Sequence, residues 1–259
     1  MEIRILGTGG FANCGFPFNA YLIDGRTLVE TPPDILQSLK REGIGLETID
    51  RVVISHFHGD HCFGLPFLAF NLFLQRKVES VGSGALDGKD RPPPRLIGPP
   101  GVAAAARRLL GAAISPDHPY VDWFLSGLKP IEIGDGTRLR CHDRLFLDFF
   151  RTEHSPETYA IIARGEEGQA EFISSSDTRW TSRMAGLFSI GAPLVLCDGN
   201  GSGFGGVHMS PEEIRAFVRP LLAKGSRLLV THITSYPDEP GDLEYARPGM
   251  VVRVGNHAS

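Results

Sequence analysis

Val52-Val53-Ile54-Ser55-His56-Phe57-His58-Gly59-Asp60-His61 decides how this chain is read. An apolar run of strand length delivers four metal-ligating side chains within six residues, His56 to His61. The ligands therefore fall where a buried strand ends and its loop begins. Imidazole together with carboxylate suits a borderline divalent ion, zinc first and then manganese or iron. The spacing is too tight for one tetrahedral ion to use all four groups. Two neighbouring ions can share them, with His56 and His58 on one and Asp60 and His61 on the other. The whole chain carries only nine His in 259 residues, so a chance cluster of this form is improbable.

Length and composition bound the rest. At 259 residues the chain fits one α/β domain, 1–259, with a substantial core. Hydrophobic residues at 42% and charged residues at 22% fit a globular protein and exclude a disordered or fibrous one. A formal net charge of -4 argues against broad electrostatic attraction to nucleic acid. The strand-like Ile3-Arg4-Ile5-Leu6 begins almost at residue 1, and no run approaches a membrane span, so the expectation is a cytoplasmic protein with no membrane partner. Cys14, Cys62, Cys141 and Cys197 show no paired spacing and are expected as reduced thiols.

Strand signals fall at 3–6, 20–23, 51–55, 146–150, 170–174, 194–197, 227–231 and 250–254. Helices are predicted over 34–41, 102–110 and, most clearly, 211–224. In the last, Ser210 and Glu213 make a capping-box pair, Pro211 takes the first helical position, and Ile214, Phe217, Val218, Leu221 and Leu222 mark one face. Residues 76–95 break the pattern with Gly, Pro and charge, and read as a flexible insertion that is either a substrate lid or an inert surface loop. Before it, Phe67, Phe70, Leu72, Phe73 and Leu74 predict an apolar helix serving as core, homodimer surface or pocket wall.

The opening motif resembles the metal-binding signature of the metallo-β-lactamase superfamily. That resemblance implies an αββα sandwich, a third His, a bridging Asp and a last His, each after a later strand. His154 follows Leu145-Phe146-Leu147-Asp148-Phe149-Phe150, Asp177 follows Glu171-Phe172-Ile173-Ser174, and His232 follows Leu228-Leu229-Val230-Thr231. The implied set is His56, His58 and His154 on one ion, Asp60, His61 and His232 on the other, and Asp177 between them.

Within the superfamily the chain is more similar to the ribonuclease Z-like phosphodiesterases. The similarity is carried by Leu6-Gly7-Thr8-Gly9-Gly10 with Asn19, by His61-Cys62-Phe63-Gly64-Leu65-Pro66, by Ser176-Asp177-Thr178-Arg179, and by Val207-His208-Met209-Ser210-Pro211 before Val230-Thr231-His232. It departs where tRNA-processing members carry basic residues, having Phe16-Pro17-Phe18, and where they carry a His-Glu pair, having Cys197-Asp198. The reading that follows is a phosphodiesterase using a water activated by two divalent ions, on a small cyclic or nucleotide-like substrate. Precursor tRNA is the second reading, so RNA stays open as a partner. A thioesterase or lactonase would use the same ions, and a metal-holding sensor is the non-catalytic alternative. Asp60 is expected to orient the attacking water, His208 with Asp198 to protonate the leaving group, and Arg179 and Asn19 to touch substrate.

Overall fold

In the strands near the ligands, neighbouring residues belong to different apolar layers. Val53 joins one cluster and Val52 and Ile54 another, while Leu194 and Leu196 separate in the same way from Val195 and Cys197. This period of two makes each sheet apolar on both faces, so each must be covered twice. The computed structural model describes residues 1–13, 15–82, 91–126, 129–142, 144–239 and 241–255, and for 77–82 the backbone alone.

One sheet orders its seven strands β14-β1-β2-β3-β4-β5-β6. These are β1 (Glu2–Gly7), β2 (Ala20–Ile23), β3 (Thr27–Val29), β4 (Arg51–Val53), β5 (Arg95–Gly98), β6 (Ile131–Glu132) and β14 (Val251–Arg253). The other runs β13-β12-β11-β10-β9-β8-β7. It comprises β7 (Arg138–His142), β8 (Leu145–Arg151), β9 (Tyr159–Arg164), β10 (Ala170–Ser174), β11 (Leu194–Asp198), β12 (Arg227–Thr231) and β13 (Glu244–Tyr245). Ile3, Ile5, Tyr21, Val53 and Ile97 of the first sheet meet Leu147, Phe149, Ile161, Phe172 and Leu196 of the second in one central core.

Helices cover the outer faces. Leu22, Leu28, Val52 and Leu96 pack under α1 (Ile35–Arg41), α3 (Leu65–Gly82), α4 (Val102–Ala113) and α5 (Pro119–Ser126). Ile162, Ile173, Val195 and Val230 pack under α6 (Met184–Phe188) and the Pro211–Leu221 segment. The result is the αββα sandwich that the family resemblance implies.

Two expectations need adjusting. The helix predicted over 211–224 is regular only in α7 (Pro211–Glu213), then passes through a π-helical turn at Ile214–Val218 and a 3₁₀ turn at Arg219–Leu221. Pro220 supplies the reason, because it has no N–H to give and crowds the carbonyl one turn back. Of the segment 76–95, α3 occupies the part up to Gly82 and β5 begins at Arg95, while 83–90 lie outside the described residues. Among the described residues no helix is long and apolar enough to cross a membrane.

Candidate active site

Strand direction gathers the site. β10, β11 and β12 are parallel, and β8 shares their direction because antiparallel β9 stands between it and β10. Their C-terminal ends therefore lie along one edge, and from that edge come His154, Asp177, Asp198 and His232. In the first sheet β3, β4 and β5 are parallel, and the loop after β4 carries His56 and His58 into α2 (Gly59–Cys62), which holds Asp60 and His61. The two edges are laced together. Tyr159 N donates to Ser55 O (3.2 Å), Ile233 N to Thr8 O (2.9 Å) and Gly10 N to Ile233 O (3.0 Å).

The nominated ligands converge. Ligand atoms of His56, His58, His154 and Asp177 lie within 4.8 Å of one another, as do those of Asp60, His61 and His232. Asp177 belongs to both neighbourhoods: its Oδ2 is 3.6 Å from His56 Nε2, 3.7 Å from His154 Nε2 and 3.4 Å from His232 Nε2, and its Oδ1 is 3.5 Å from His61 Nε2. Imidazole nitrogens crowd each other, His56 Nε2 against His58 Nδ1 at 3.0 Å and His61 Nε2 against His232 Nε2 at 3.4 Å. Asp60 Oδ1 and Asp177 Oδ1 are buried with no hydrogen-bond partner among the described residues. Inward-facing nitrogens and orphaned carboxylate oxygens are costly unless a cation satisfies both, so the residues fit divalent ions.

Charge points the same way. Burial would raise the Asp177 and Asp60 carboxyls, yet the surrounding imidazoles hold both below the usual carboxylate range. Burial would lower His61 and His232, but Asp177 and the other nearby carboxylates outweigh it, pushing His61 up and His232 up to about 10. Burial and the neighbouring His61 drag His56 well down. Such a concentration of carboxylate charge draws protons and metal cations in competition.

Asp198 is buried at the end of β11 and its two oxygens serve two imidazoles. Oδ2 accepts from His208 Nδ1 at 2.8 Å and from Thr178 N at 2.9 Å, while Oδ1 lies 3.2 Å from His232 Nδ1. Burial would raise Asp198, but these bonds hold it down. Burial would lower His208, but the Asp198 bond and charge hold it above the ordinary histidine value. His208 precedes the capping box, where Ser210 Oγ accepts from Glu213 N and Glu213 Oε2 accepts from Ser210 N.

Other nominated residues sit differently. Asn19 was expected to touch substrate, but it is buried and its Oδ1 accepts from Thr231 Oγ1 at 2.7 Å, so its carbonyl braces the residue before His232. Arg179 is exposed, its backbone N donates to Glu153 O beside His154, and its side chain forms no ion pair among the described residues. Cys62 is a buried thiol pushed up to about 12 by burial, and its Sγ donates to His58 O. The sequence reading missed two supports of the site. Glu30, after β3, is buried with both carboxylate oxygens near Ser55 N (3.3 and 3.2 Å), and Oε1 lies 3.4 Å from His61 Nδ1. Ser55 Oγ lies 2.9 Å from His56 Nδ1. An acidic residue ending the apolar Thr27-Leu28-Val29 was the signal for the first.

Comparison with known proteins follows the same lines. A family model described as anti-Pycsar protein Apyc1 matches residues 1–82. A ribonuclease Z from Mycolicibacterium gilvum is 28% identical over 187 residues, which is 69% of this chain and 62% of that enzyme, so the chain spans under two thirds of its length. Among solved structures, the metallo-β-lactamase fold protein YhfI from Bacillus subtilis superposes with a TM-score of 0.73 at 18% identity, over 98% of this chain and 99% of its own. The short form of human tRNase Z gives 0.72 at 18% identity over 99% and 100%. The fold is thus that of the metallo-β-lactamase-fold proteins, and the sequence is similar to ribonuclease Z.

Proposed function

We propose that the chain is a metal-dependent hydrolase cleaving a small cyclic or nucleotide-like phosphodiester. His56, His58 and His154 would hold one divalent ion and Asp60, His61 and His232 a second, with Asp177 shared; zinc suits the donors best, then manganese or iron. Divalent ions held there would supply Lewis-acid polarisation of a phosphoryl group and would lower the pKa of a water from about 15.7 toward 7. Asp60 would orient the attacking water as well as hold an ion. His208 gives its Nε2 proton to the departing alkoxide, and Asp198 fixes the ring through Nδ1. Exposed Arg179, whose backbone N donates to Glu153 O, would offset phosphate charge.

The observation that carries this reading is the His208–Asp198 pair at 2.8 Å beside the ligand cluster. A thioesterase or lactonase with a good leaving group needs no such proton donor, and a metal-holding sensor needs neither. Precursor tRNA is the second reading, favoured by the ribonuclease Z relatives. Against it stand the net charge of -4 and Phe16, which spends its ring on Tyr236 (centroids 5.0 Å apart) where a basic residue would grip RNA. Exposed Phe63, just after α2, and exposed Phe67 and Leu74 on α3 support a homodimer surface. Buried free thiols at Cys62, Cys141 and Cys197 fit the reducing cytoplasm.

Protein reconstituted with zinc or manganese should hydrolyse cyclic nucleotides or dinucleotides faster than a p-nitrophenyl ester or a thioester. Faster cleavage of precursor tRNA would shift the assignment to the second reading. Faster ester or thioester turnover would overturn phosphodiester hydrolysis.

A further inference from the structure

The segment joining Asp198 to His208 is Gly199-Asn200-Gly201-Ser202-Gly203-Phe204-Gly205-Gly206-Val207, five glycines among nine residues. A chain so rich in glycine has little intrinsic shape, because each glycine visits conformations closed to other residues. Gly203 and Gly205 use that freedom at φ +72° and +78°. Nevertheless the loop folds back on the residues around His208. Gly201 N donates to Met209 O at 2.8 Å, and a Cβ on Gly201 would come within 2.3 Å of His208 O. Met209 N in turn donates to Thr178 O at 2.9 Å, directly after Asp177.

One large aromatic side chain stands in this loop, and it is not isolated. The Phe204 ring meets Phe217 edge-on with centroids 5.9 Å apart and planes at 74°. Phe217 stacks on Trp180 at 5.1 Å and 15°, and Trp180 on Phe188 at 6.4 Å and 19°. Phe188 is fully buried under the second sheet. The ladder thus runs from the core, past the segment that follows Asp177, and ends on the loop. Beside it the Glu213 carboxylate holds the next residue, its Oε1 accepting from Gly205 N at 2.9 Å. An aromatic ring 64% exposed adds little to the core, so its contact with Phe217 matters chiefly for the loop that bears it.

We propose that Phe204 is a positioning residue for His208: it pins the glycine-rich loop to the Phe217–Trp180–Phe188 ladder and so sets where the imidazole meets the leaving group. The role rests on the reading of His208 as proton donor. Phe204 itself need touch neither substrate nor metal. Misplacing a catalytic group by about 1 Å can cost about 100-fold in rate, whereas a diester whose leaving group departs without a proton is indifferent to it.

The test compares F204A, F204Y and H208A with the parent protein on a cyclic nucleotide and on bis-p-nitrophenyl phosphate, with metal content and melting temperature measured alongside. F204A should lose roughly 10- to 100-fold on the cyclic nucleotide and less than about 3-fold on the nitrophenyl diester. Its metal content should be unchanged, and F204Y, which keeps the ring, should recover most of the loss. Limited proteolysis should cut within 199–207 in F204A and spare F204Y. If H208A discriminates between the two diesters while F204A does not, or F204A also loses metal, the positioning role is wrong and the proton-donor reading stands. If H208A fails to discriminate, the proton-donor reading falls and this proposal with it.

Discussion

His208 and Asp198 are joined by a 2.8 Å hydrogen bond from Nδ1 to Oδ2, and the second oxygen of the same carboxylate reaches His232 Nδ1 at 3.2 Å. One buried carboxylate therefore orients both a nominated proton donor and a nominated metal ligand. Substitution of Asp198 should have two separable consequences. Asp198→Asn keeps the shape but removes the charge and one acceptor. Metal affinity is expected to fall about 10- to 100-fold, as it does when an outer carboxylate partner of a ligating imidazole is lost. At saturating metal, turnover of an alkoxide-leaving diester should still fall by about 100-fold or more. Metal titration followed by steady-state kinetics distinguishes the two, and full recovery at saturating metal would show that Asp198 serves His232 alone.

The same pair sets a pH dependence. His208 is held above its ordinary value of about 6.5 because the Asp198 bond and charge outweigh burial. A proton donor works while protonated, so turnover of an alkoxide-leaving diester should hold through neutral pH and decline as pH rises past the elevated value. Asp198→Asn should move that alkaline limb to lower pH, and His208→Ala should abolish it. The nitrophenyl diester, which needs no proton, should lack the limb. A limb common to both substrates, measured as kcat/KM across pH, would assign it to another group.

Much of the site was legible because its chemistry is local and repetitive. His56, His58, Asp60 and His61 lie in one loop and its helix, and His154, Asp177 and His232 each follow an apolar run long enough to read as a strand. Shorter or edge strands hid what depended on them. β3 has three residues, so Glu30 did not announce itself as a strand-end carboxylate, and the alternating basic and apolar Arg138-Leu139-Arg140-Cys141 of edge strand β7 passed unread. The bracing contact of Asn19 is not legible in the sequence, because its partner Thr231 lies 212 residues away. Pro220 should have shortened the helix at 211–224, but the strong cap at Ser210 and the apolar face masked it.

Away from the site, Asp148 on β8 ties three strands together. It accepts from Arg138 Nε at 2.6 Å on β7 and from Arg164 Nε at 2.6 Å on β9. Burial would raise its carboxyl, but the two guanidinium groups outweigh that and hold it low. A carboxyl depressed in the folded state stabilises fully above its unfolded value of about 3.9, and the contribution disappears as pH falls through the lower folded value. Asp148→Asn should therefore cost about 1–2 kcal/mol at pH 7 and progressively less below about pH 4. Denaturant melts at pH 7 and pH 3 check this, and an equal loss at both would mean that the charge contributes nothing.

Glu30 gives the most direct test of how the protein prepares the His61 side of the site. It has left-handed backbone geometry, φ +67°, which is uncommon for a residue with a side chain and persists only where its surroundings enforce it. The enforcement is visible: Ser55 N points at both carboxylate oxygens, and Thr31 N donates to His61 O at 2.8 Å, tying the end of β3 to the metal-motif helix. With Oε1 at 3.4 Å from His61 Nδ1, the carboxylate favours a proton on Nδ1 and leaves Nε2 facing Asp60 and Asp177. Glu30→Gln keeps the shape but loses the charge, so the His61 side should bind zinc about 10- to 100-fold more weakly while the His56 side is little changed. Glu30→Ala should also destabilise the fold by about 1–3 kcal/mol, since it strands Ser55 N in a buried place. Calorimetric zinc titration should then resolve two unequal sites in Glu30→Gln, and two affinities indistinguishable from those of the parent protein would show that Glu30 acts only as a backbone brace.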